Sequence, residues 1–435
     1  MALSTSMVFE FRANGTSNGG GGFVTGASGT DYSQQDSVQI ARTDLVIDAT
    51  TDTDITSAAT PFTTAEVGNL INITAGTGFT VARYEITAVA AGVCTLDSAV
   101  GTLGSTGGSG SMGGAMTLND YNITPVSLNG QIAYIANDAT HTLTAAIALN
   151  TTITSGKILV EGYNTTRGDS PTGSSRPLVA AGDYAVDIES QFLWVNFRFT
   201  GTSTAIVGTS SSRRGGLYNV SINNSSGTAS RDAFDVLGNS NYIAAHCELQ
   251  SVNGFAVVAG GDTQLYGCYI HDSDVGVLGN SSYTMSMSHC IIDTCSEGVG
   301  SDTADLYASI TNTTIYNCTK GVDLDEWEGI FMDNIIDSCT TGFEVDAVSF
   351  GIIDYNNWSN NTADISVASK GANATSGAPG FADAPNGNFA PGAGVKATSS
   401  LGAFPGGLTT GYLDQGAVQH QDTGGGGTIA RFSAS

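Results

Sequence analysis

Between about Tyr242 and Ile365 the hydrophobic positions recur with a period near 22 residues. Leu249, Ile270, Ile292, Ile315, Ile336 and Trp358 fall into one column, with successive spacings of 21, 22, 23, 21 and 22. A second column holds Gly254, Gly276, Gly298, Gly321 and Gly342, trailed by Phe255, Val277, Val299, Val322 and Phe343. Cysteines obey the same frame: Cys247, Cys268 and Cys290 stand two places before the first column, and Cys295, Cys318 and Cys339 three places after it. Self-similarity at a fixed period of roughly 20 to 50 residues marks a stacked solenoid, in which each repeat buries its face against the next.

Geometry explains the period. At ~3.3 Å per residue, about 22 residues make three short strands and three turns, and strands in successive coils lie ~4.8 Å apart. Inward positions then become ladders of like residues. The runs are rich in Thr, Ser, Asn, Gly and β-branched residues and lack the Ala/Leu/Glu/Lys content of a helical solenoid. A leucine-rich consensus is also missing. The expected fold is all-β: a right-handed parallel β-helix with a small inserted antiparallel β domain near the N-terminus.

Four regions follow from the pattern. Residues 1–49 hold a strand (Val8 to Arg12), a Gly19 to Gly22 run read as a flexible turn or cap, and a short helix expected around Gln34 to Ala41. In 50–118, the alternating runs Val67 to Ile73, Gly78 to Ile86 and Val93 to Asp97 predict a small barrel or sandwich, with Gly101 to Gly114 as a linker. The β-helix occupies 119–368, and Phe192 to Phe199 is its most apolar strand. Residues 369–435 are Gly/Ala/Pro-rich and cannot bury a core of their own. They are expected to lie along the flank, anchored by Phe381, Phe389 and Phe404, before a last strand at Asp414 to Gln419 and a docking tail with Ile429, Arg431 and Phe432.

Charge narrows the partners. With 14 basic against 40 acidic residues the chain carries a net −26, which argues against nucleic acid or an anionic membrane. No run of about 18 apolar residues occurs, so no membrane insertion is expected. Met1 to Phe11 lacks a basic segment followed by an apolar run, so no secretory signal peptide is expected and release by another route, such as viral lysis, fits better. Seven cysteines without CxxC spacing read as buried free thiols acting as small hydrophobes rather than a disulfide or zinc framework. Arg167-Gly168-Asp169 matches an adhesion tripeptide, a signal too short to carry a function.

One carboxylate array stands out. Relative to the glycine column, Asp323 and Glu344 share a register, and Asp302, Asp325 and Asp346 share another. Acids one coil apart stand near the separation retaining glycosidases use. Three readings stay open: a solvated acidic face; a cation site, with Asp302, Asp325 and Asp346 offering oxygens to Ca²⁺; and a glycoside hydrolase pair drawn from Asp323, Glu344, Asp325 and Asp346. Trp327 is a candidate sugar-stacking platform or a turn residue packed on the next coil. A lyase would need a basic residue that the stack almost lacks, and His246, His271 and His289 fall at varied registers.

The ends of the chain carry a resemblance. Phe9-Glu10-Phe11-Arg12, then Asn14-Gly15-Thr16 through Gly22-Phe23 and Gly29-Thr30-Asp31-Tyr32-Ser33, resembles the start of right-handed β-helix proteins encoded by tailed bacteriophages. Asp414-Gln415-Gly416-Ala417-Val418-Gln419 is similar to their last coil. The resemblance covers the whole chain apart from the inserted domain, and no polygalacturonase or pectate lyase catalytic motif can be laid on these residues. It implies a virion surface protein of spike, fibre or decoration type, assembled with other virion proteins as a homo-oligomer, a trimer by preference. A depolymerising tailspike acting on host surface polysaccharide is the alternative. A secreted bacterial adhesin is the third.

Overall fold

The overlaid columns are hydrogen-bonded neighbours. In the computed structural model, Leu249 pairs with Ile270, Ile270 with Ile292, Ile292 with Ile315, Ile315 with Ile336 and Ile336 with Trp358, all in parallel register. The structure describes residues 3–120, 131–148, 158–187, 192–203, 205–208, 214–229, 231–236, 241–279, 284–301, 306–366, 369–392 and 415–418. The fold is all-β, a right-handed parallel β-helix with a closed six-strand antiparallel barrel toward the N-terminus. Two units are distinguished: Met1–Ala180 with Ser190–Phe197, and Ala181–Glu189 with Arg198–Ser435.

The second unit holds the regular coils. Each coil contributes to three sheets. The first contains Asn241–Ala245, Asp262–Tyr266, Thr284–Ser288 and Leu306–Thr311; the second Glu248–Ser251, Tyr269–His271, Ile291–Asp293, Thr314–Tyr316, Ile335–Asp337 and Asn357–Ser359; the third Phe255–Ala259, Val275–Gly279 and Glu297–Ser301. Lys320–Met332 and Thr341–Asp354 run on from the third sheet into the first, with a register shift after Trp327.

Two corners repeat one device. At the first, His246, Gly267, His289, Asn312, Asp333 and Tyr355 take left-handed backbone with φ between 48° and 59°. The residue that follows each of them belongs to one ladder: Cys247, Cys268, Cys290, Thr313, Asn334 and Asn356. At the second corner Asp272, Thr294, Asn317, Ser338 and Asn360 are left-handed and precede Ser273, Cys295, Cys318, Cys339 and Asn361. A left-handed residue reverses the chain at a steric cost, and the next side chain ties the corner down by donating to the carbonyl two residues back. Ser273 Oγ donates to His271 O at 2.9 Å, Thr313 Oγ1 to Thr311 O at 3.2 Å, and Cys318 Sγ to Tyr316 O at 3.4 Å. The cysteines are free and buried. They are also weak donors at a position that serine, threonine and asparagine fill in other coils, a role beyond small hydrophobe. Burial pushes the thiol of Cys290 up.

The glycine column is a close-approach site. A Cβ on Gly298 would lie 2.4 Å from the carbonyl oxygen of Gly321, and Gly276, Gly321 and Gly342 meet the next coil in the same way. Gly254 does not belong to it, because Phe255 pairs with Val275 and Val257 with Val277, which sets Ala256 beside Gly276.

In the first unit Met7–Phe11, fully buried, pairs antiparallel with Gly22–Val24 and parallel with Ile132–Ala136, which in turn pairs with Ile158–Tyr163. The barrel order is Ile40–Ile47, Asp54–Thr56, Val93–Leu96, Ala82–Ala90, Leu70–Ala75 and Thr106–Met112, closing on the first strand. No helix forms over 34–41; the chain turns there and enters the barrel at Ile40, whose strand sends Leu45 and Ile47 into the core. The expected linker is partly a barrel strand, Thr106–Met112. Gly108 and Gly110 face an interior with no room, a Cβ on Gly108 meeting the Phe79 ring at 2.5 Å, while Gly107 is left-handed with φ 78°. The Gly19 to Gly22 run is not a loose cap either, since a Cβ on Gly20 would lie 2.2 Å from Leu70 O.

After the last coil, Phe381 and Phe389 pack on Tyr316 and on each other, with ring centroids 5.3–6.0 Å apart, so residues 381–389 lie along the second sheet. Phe404, Ile429, Arg431 and Phe432 fall outside the described residues. Residues 415–418 form bends rather than a strand, with Gly416 N–H donating to Asp333 O at 2.7 Å. No helix among the described residues is long and apolar enough to cross a membrane.

Candidate functional site

Asp323 and Glu344 are cross-coil partners, as their register predicted. Between them sits Lys320, whose Nζ lies 2.7 Å from Asp323 Oδ2 and 3.1 Å from Glu344 Oε2. Lys320 stands on the same strand three residues before Asp323, so one ammonium reaches both acids. The hydrogen bond to Asp323, and then that to Glu344, holds the Lys320 ammonium well above the usual lysine range. The Lys320 ammonium thus occupies the space between the two carboxylates, where a glycosidase places the scissile bond.

Asp325 and Asp346 face each other one coil apart, between the pairs Leu324–Val345 and Glu326–Ala347, and both are exposed. Asp302 lies outside the described residues. Among the described residues no group of three or more His, Cys, Asp or Glu side chains is arranged to hold a metal ion. Two exposed carboxylates supply few of the 6–8 oxygens Ca²⁺ takes.

Trp327 is not a platform at the rim. It is 1% exposed, packs edge-on against Phe343 with centroids 5.7 Å apart, and donates its indole N–H to Ala308 O at 3.3 Å. The strand alternation that turns Glu326 and Glu328 outward turns Trp327 into the core.

The tripeptide at 167–169 is structural. Arg167 bonds Glu10 Oε2 at 2.8 Å and Asp31 Oδ2 at 2.9 Å, and Asp169 accepts backbone N–H groups from Asn164, Thr165 and Thr166. Glu10 is fully buried and also receives the Tyr163 hydroxyl. Arg167 therefore ties the loop to the Met7–Phe11 strand.

The structure assembles one cluster that sequence reading missed. On the outer face of the second sheet, Glu248 and Tyr269 share one column, and Gln250, His271 and Asp293 the next. The His271 ring stacks on Tyr269 at 4.3 Å; its Nδ1 is 2.9 Å from Asp272 Oδ2 and its Nε2 3.5 Å from Glu248 Oε1. Burial opposes its charge, but bonds to Glu248 and Asp272 more than offset this and raise its pKa. Asp293 accepts the Tyr269 hydroxyl at 3.1 Å and Thr294 Oγ1 at 2.7 Å, and burial lifts its carboxyl above the ordinary range. An imidazole and a carboxyl, both with raised pKa, thus flank one aromatic ring. The C-terminal segment borders them: a Cβ on Gly387 would lie 4.0 Å from the Tyr269 hydroxyl.

A family model described as the right handed beta helix region matches residues 232–381. The solved structure of pectate lyase Pel9A is similar to this chain with 11% identity and a TM-score of 0.46, covering 71% of this chain and 92% of that one. A search of curated proteins returns no match. The matched region spans the regular coils, whose fold is the right-handed parallel β-helix described above.

Proposed function

We propose that this chain is a non-catalytic structural and adhesive component of a bacteriophage virion surface, a spike, fibre or decoration protein that meets other virion proteins and host surface polysaccharide. The observation that carries the non-catalytic part is the Lys320 bridge, which occupies the space between Asp323 and Glu344. The assignment to a phage particle rests on the resemblance of the Phe9 to Ser33 and Asp414 to Gln419 segments. A second reading, a polysaccharide-depolymerising tailspike, is favoured by one feature: Asp293 with its raised pKa beside Tyr269 and His271.

Incubation of purified protein with capsular polysaccharide or lipopolysaccharide, followed by size analysis of the glycan, tests both. The expected result is retention of glycan or cells without shortening of the polymer, unchanged in Asp323→Asn and Glu344→Gln. Shortening that vanishes in Asp323→Asn or Asp293→Asn would overturn the non-catalytic reading and place the chemistry on the corresponding face.

A further inference from the structure

The segment that follows the last coil is anchored in two different ways. Up to Gly377 polar bonds tie it to the coils: Asn373 N–H donates to Asp354 Oδ1 at 2.8 Å, and Asn357 Nδ2 donates to Thr375 Oγ1 at 3.0 Å and to Gly377 O at 2.9 Å. From Pro379 to Gly392 the hydrogen bonds turn inward. Gly392 N–H donates to Pro379 O at 2.6 Å, Ala382 N–H to Ala390 O and Asp383 N–H to Asn388 O at 3.0 Å, and Asp383 also holds the Asn386 side chain. Among the described residues, none of this stretch's hydrogen bonds reaches a coil. Residues 379–392 thus form a lobe whose ends meet, the pattern of a compact Ω-loop.

Three apolar side chains hold the lobe down. Phe381, Ala384 and Phe389 pack on Ile291, Tyr269 and Tyr316 of the second sheet. Two Pro-Gly pairs, Pro379-Gly380 and Pro391-Gly392, bracket it, and Gly380 is left-handed with φ 61°. A body with closed ends, its own hydrogen bonds and so small an apolar footprint belongs at the low end of local stability and opens as a unit. Beneath it the sheet is unusual for an outer face. Ile291, in the column of Glu248 and Tyr269, is 2% exposed, and Asp293, between His271 and Tyr316 in the next column, is 8% exposed.

We propose that this lobe is a lid that swings on its two Pro-Gly pairs and, when open, admits glycan to Tyr269, Asp293 and Tyr316. The proposal rests on the polysaccharide-binding reading above and supplies its control, since the closed lobe is autoinhibitory. Two tyrosine rings beside a carboxyl and an imidazole offer a sugar both a stacking surface and hydrogen-bonding partners. In the closed state Phe381 and Phe389 meet the Tyr316 ring edge-on, with centroids 6.0 and 5.5 Å away, and so fill the place of that ligand.

Thiol labelling of the full chain by a maleimide reads the opening. All seven native cysteines are buried, Ala382 is exposed and Ala384 is 5% exposed. Ala384→Cys is expected to react ~10–1,000-fold more slowly than Ala382→Cys, as for a minor open state, yet much faster than the native thiols. Phe389→Ala should speed labelling of Ala384→Cys and leave the thermal midpoint of the coils in place. Because apparent affinity scales with the open fraction, Phe389→Ala should tighten binding of capsular polysaccharide by the same factor, and adding Tyr316→Ala should abolish the gain. Labelling of Ala384→Cys no faster than of the native thiols would overturn the lid, as would Phe389→Ala melting the coils. Equal glycan binding by wild type and Phe389→Ala would also overturn it while leaving adhesion standing. An opening lobe with no glycan bound by any variant would overturn the adhesive reading, and the gating proposed on it.

Discussion

Replacing Gly298 by alanine isolates the contact that sets the coil-to-coil distance on the third sheet. The new methyl would lie 2.4 Å from Gly321 O and 3.1 Å from Ile315 Cγ2. The first obstacle is backbone, which cannot swing aside as a side chain does. Overpacking typically costs about 1–3 kcal/mol, and a backbone obstacle in the middle of a stack places this site in the upper half, about 2–3 kcal/mol. At roughly 2–4 °C per kcal/mol for a body of this size, the thermal midpoint should fall by about 4–12 °C. The control is Gly227→Ala, where no atom lies within 4 Å of the added Cβ; it should change the midpoint little or raise it slightly. Differential scanning calorimetry of both variants measures the difference. If Gly298→Ala melts with Gly227→Ala, the column is not a close-approach site and the steric account of its glycines fails.

Other outcomes follow from the same packing. Cys318→Ser keeps a donor for Tyr316 O and should shift the urea midpoint little, whereas Cys318→Leu overfills the ladder and should lose about 1–3 kcal/mol. Trp327→Ala empties a core position and should cost about 3–5 kcal/mol by urea titration, a loss that a solvent-facing platform would not show. Asp235 is pushed up to about 7 by burial and then by Asp232. A carboxyl whose pKa is raised by folding contributes stability fully below its unfolded value near 4, and that contribution is lost as pH rises toward 7. Asp235→Asn should therefore flatten the fall in thermal midpoint between pH 4 and 7.5, and an unchanged slope would contradict the assignment.

What the sequence made legible was whatever stacks inward. The Leu249 to Trp358 column and both cysteine ladders repeat because an interior position sees the same neighbours in every coil. Gly254 entered the wrong column because a turn shifts the register by two residues before Gly276, which spacing alone does not reveal. Outward positions were poorly legible. His271 and Asp293 directly follow column members Ile270 and Ile292, yet Gln250 and Tyr316 fill the equivalent places in neighbouring coils, so no residue type repeats. The carboxylate pair was visible from register, but the reach of Lys320 to both acids depends on side-chain geometry. Thr106–Met112 was masked by composition, since glycine chosen for lack of room reads like glycine chosen for flexibility.

The barrel's place in the chain bears on the order in which the protein is made. Val8 pairs with Ile132, 124 positions later, while Ile40 pairs with Met112 at the mouth of the barrel. Once the barrel closes, the 72 residues from 40 to 112 no longer count as free loop, and the span that must be bridged drops from 124 to 52. That lowers the entropic barrier to joining the first strand to its partner by about 0.8 kcal/mol. On a ribosome the last barrel strand emerges ahead of Ile132, so the barrel can close first and hold Met7–Phe11 close to where its parallel partner arrives. The insertion then acts as a splint for the opening coil during synthesis, and a lesion in the barrel would register as slow or failed assembly of coils whose own sequence is intact.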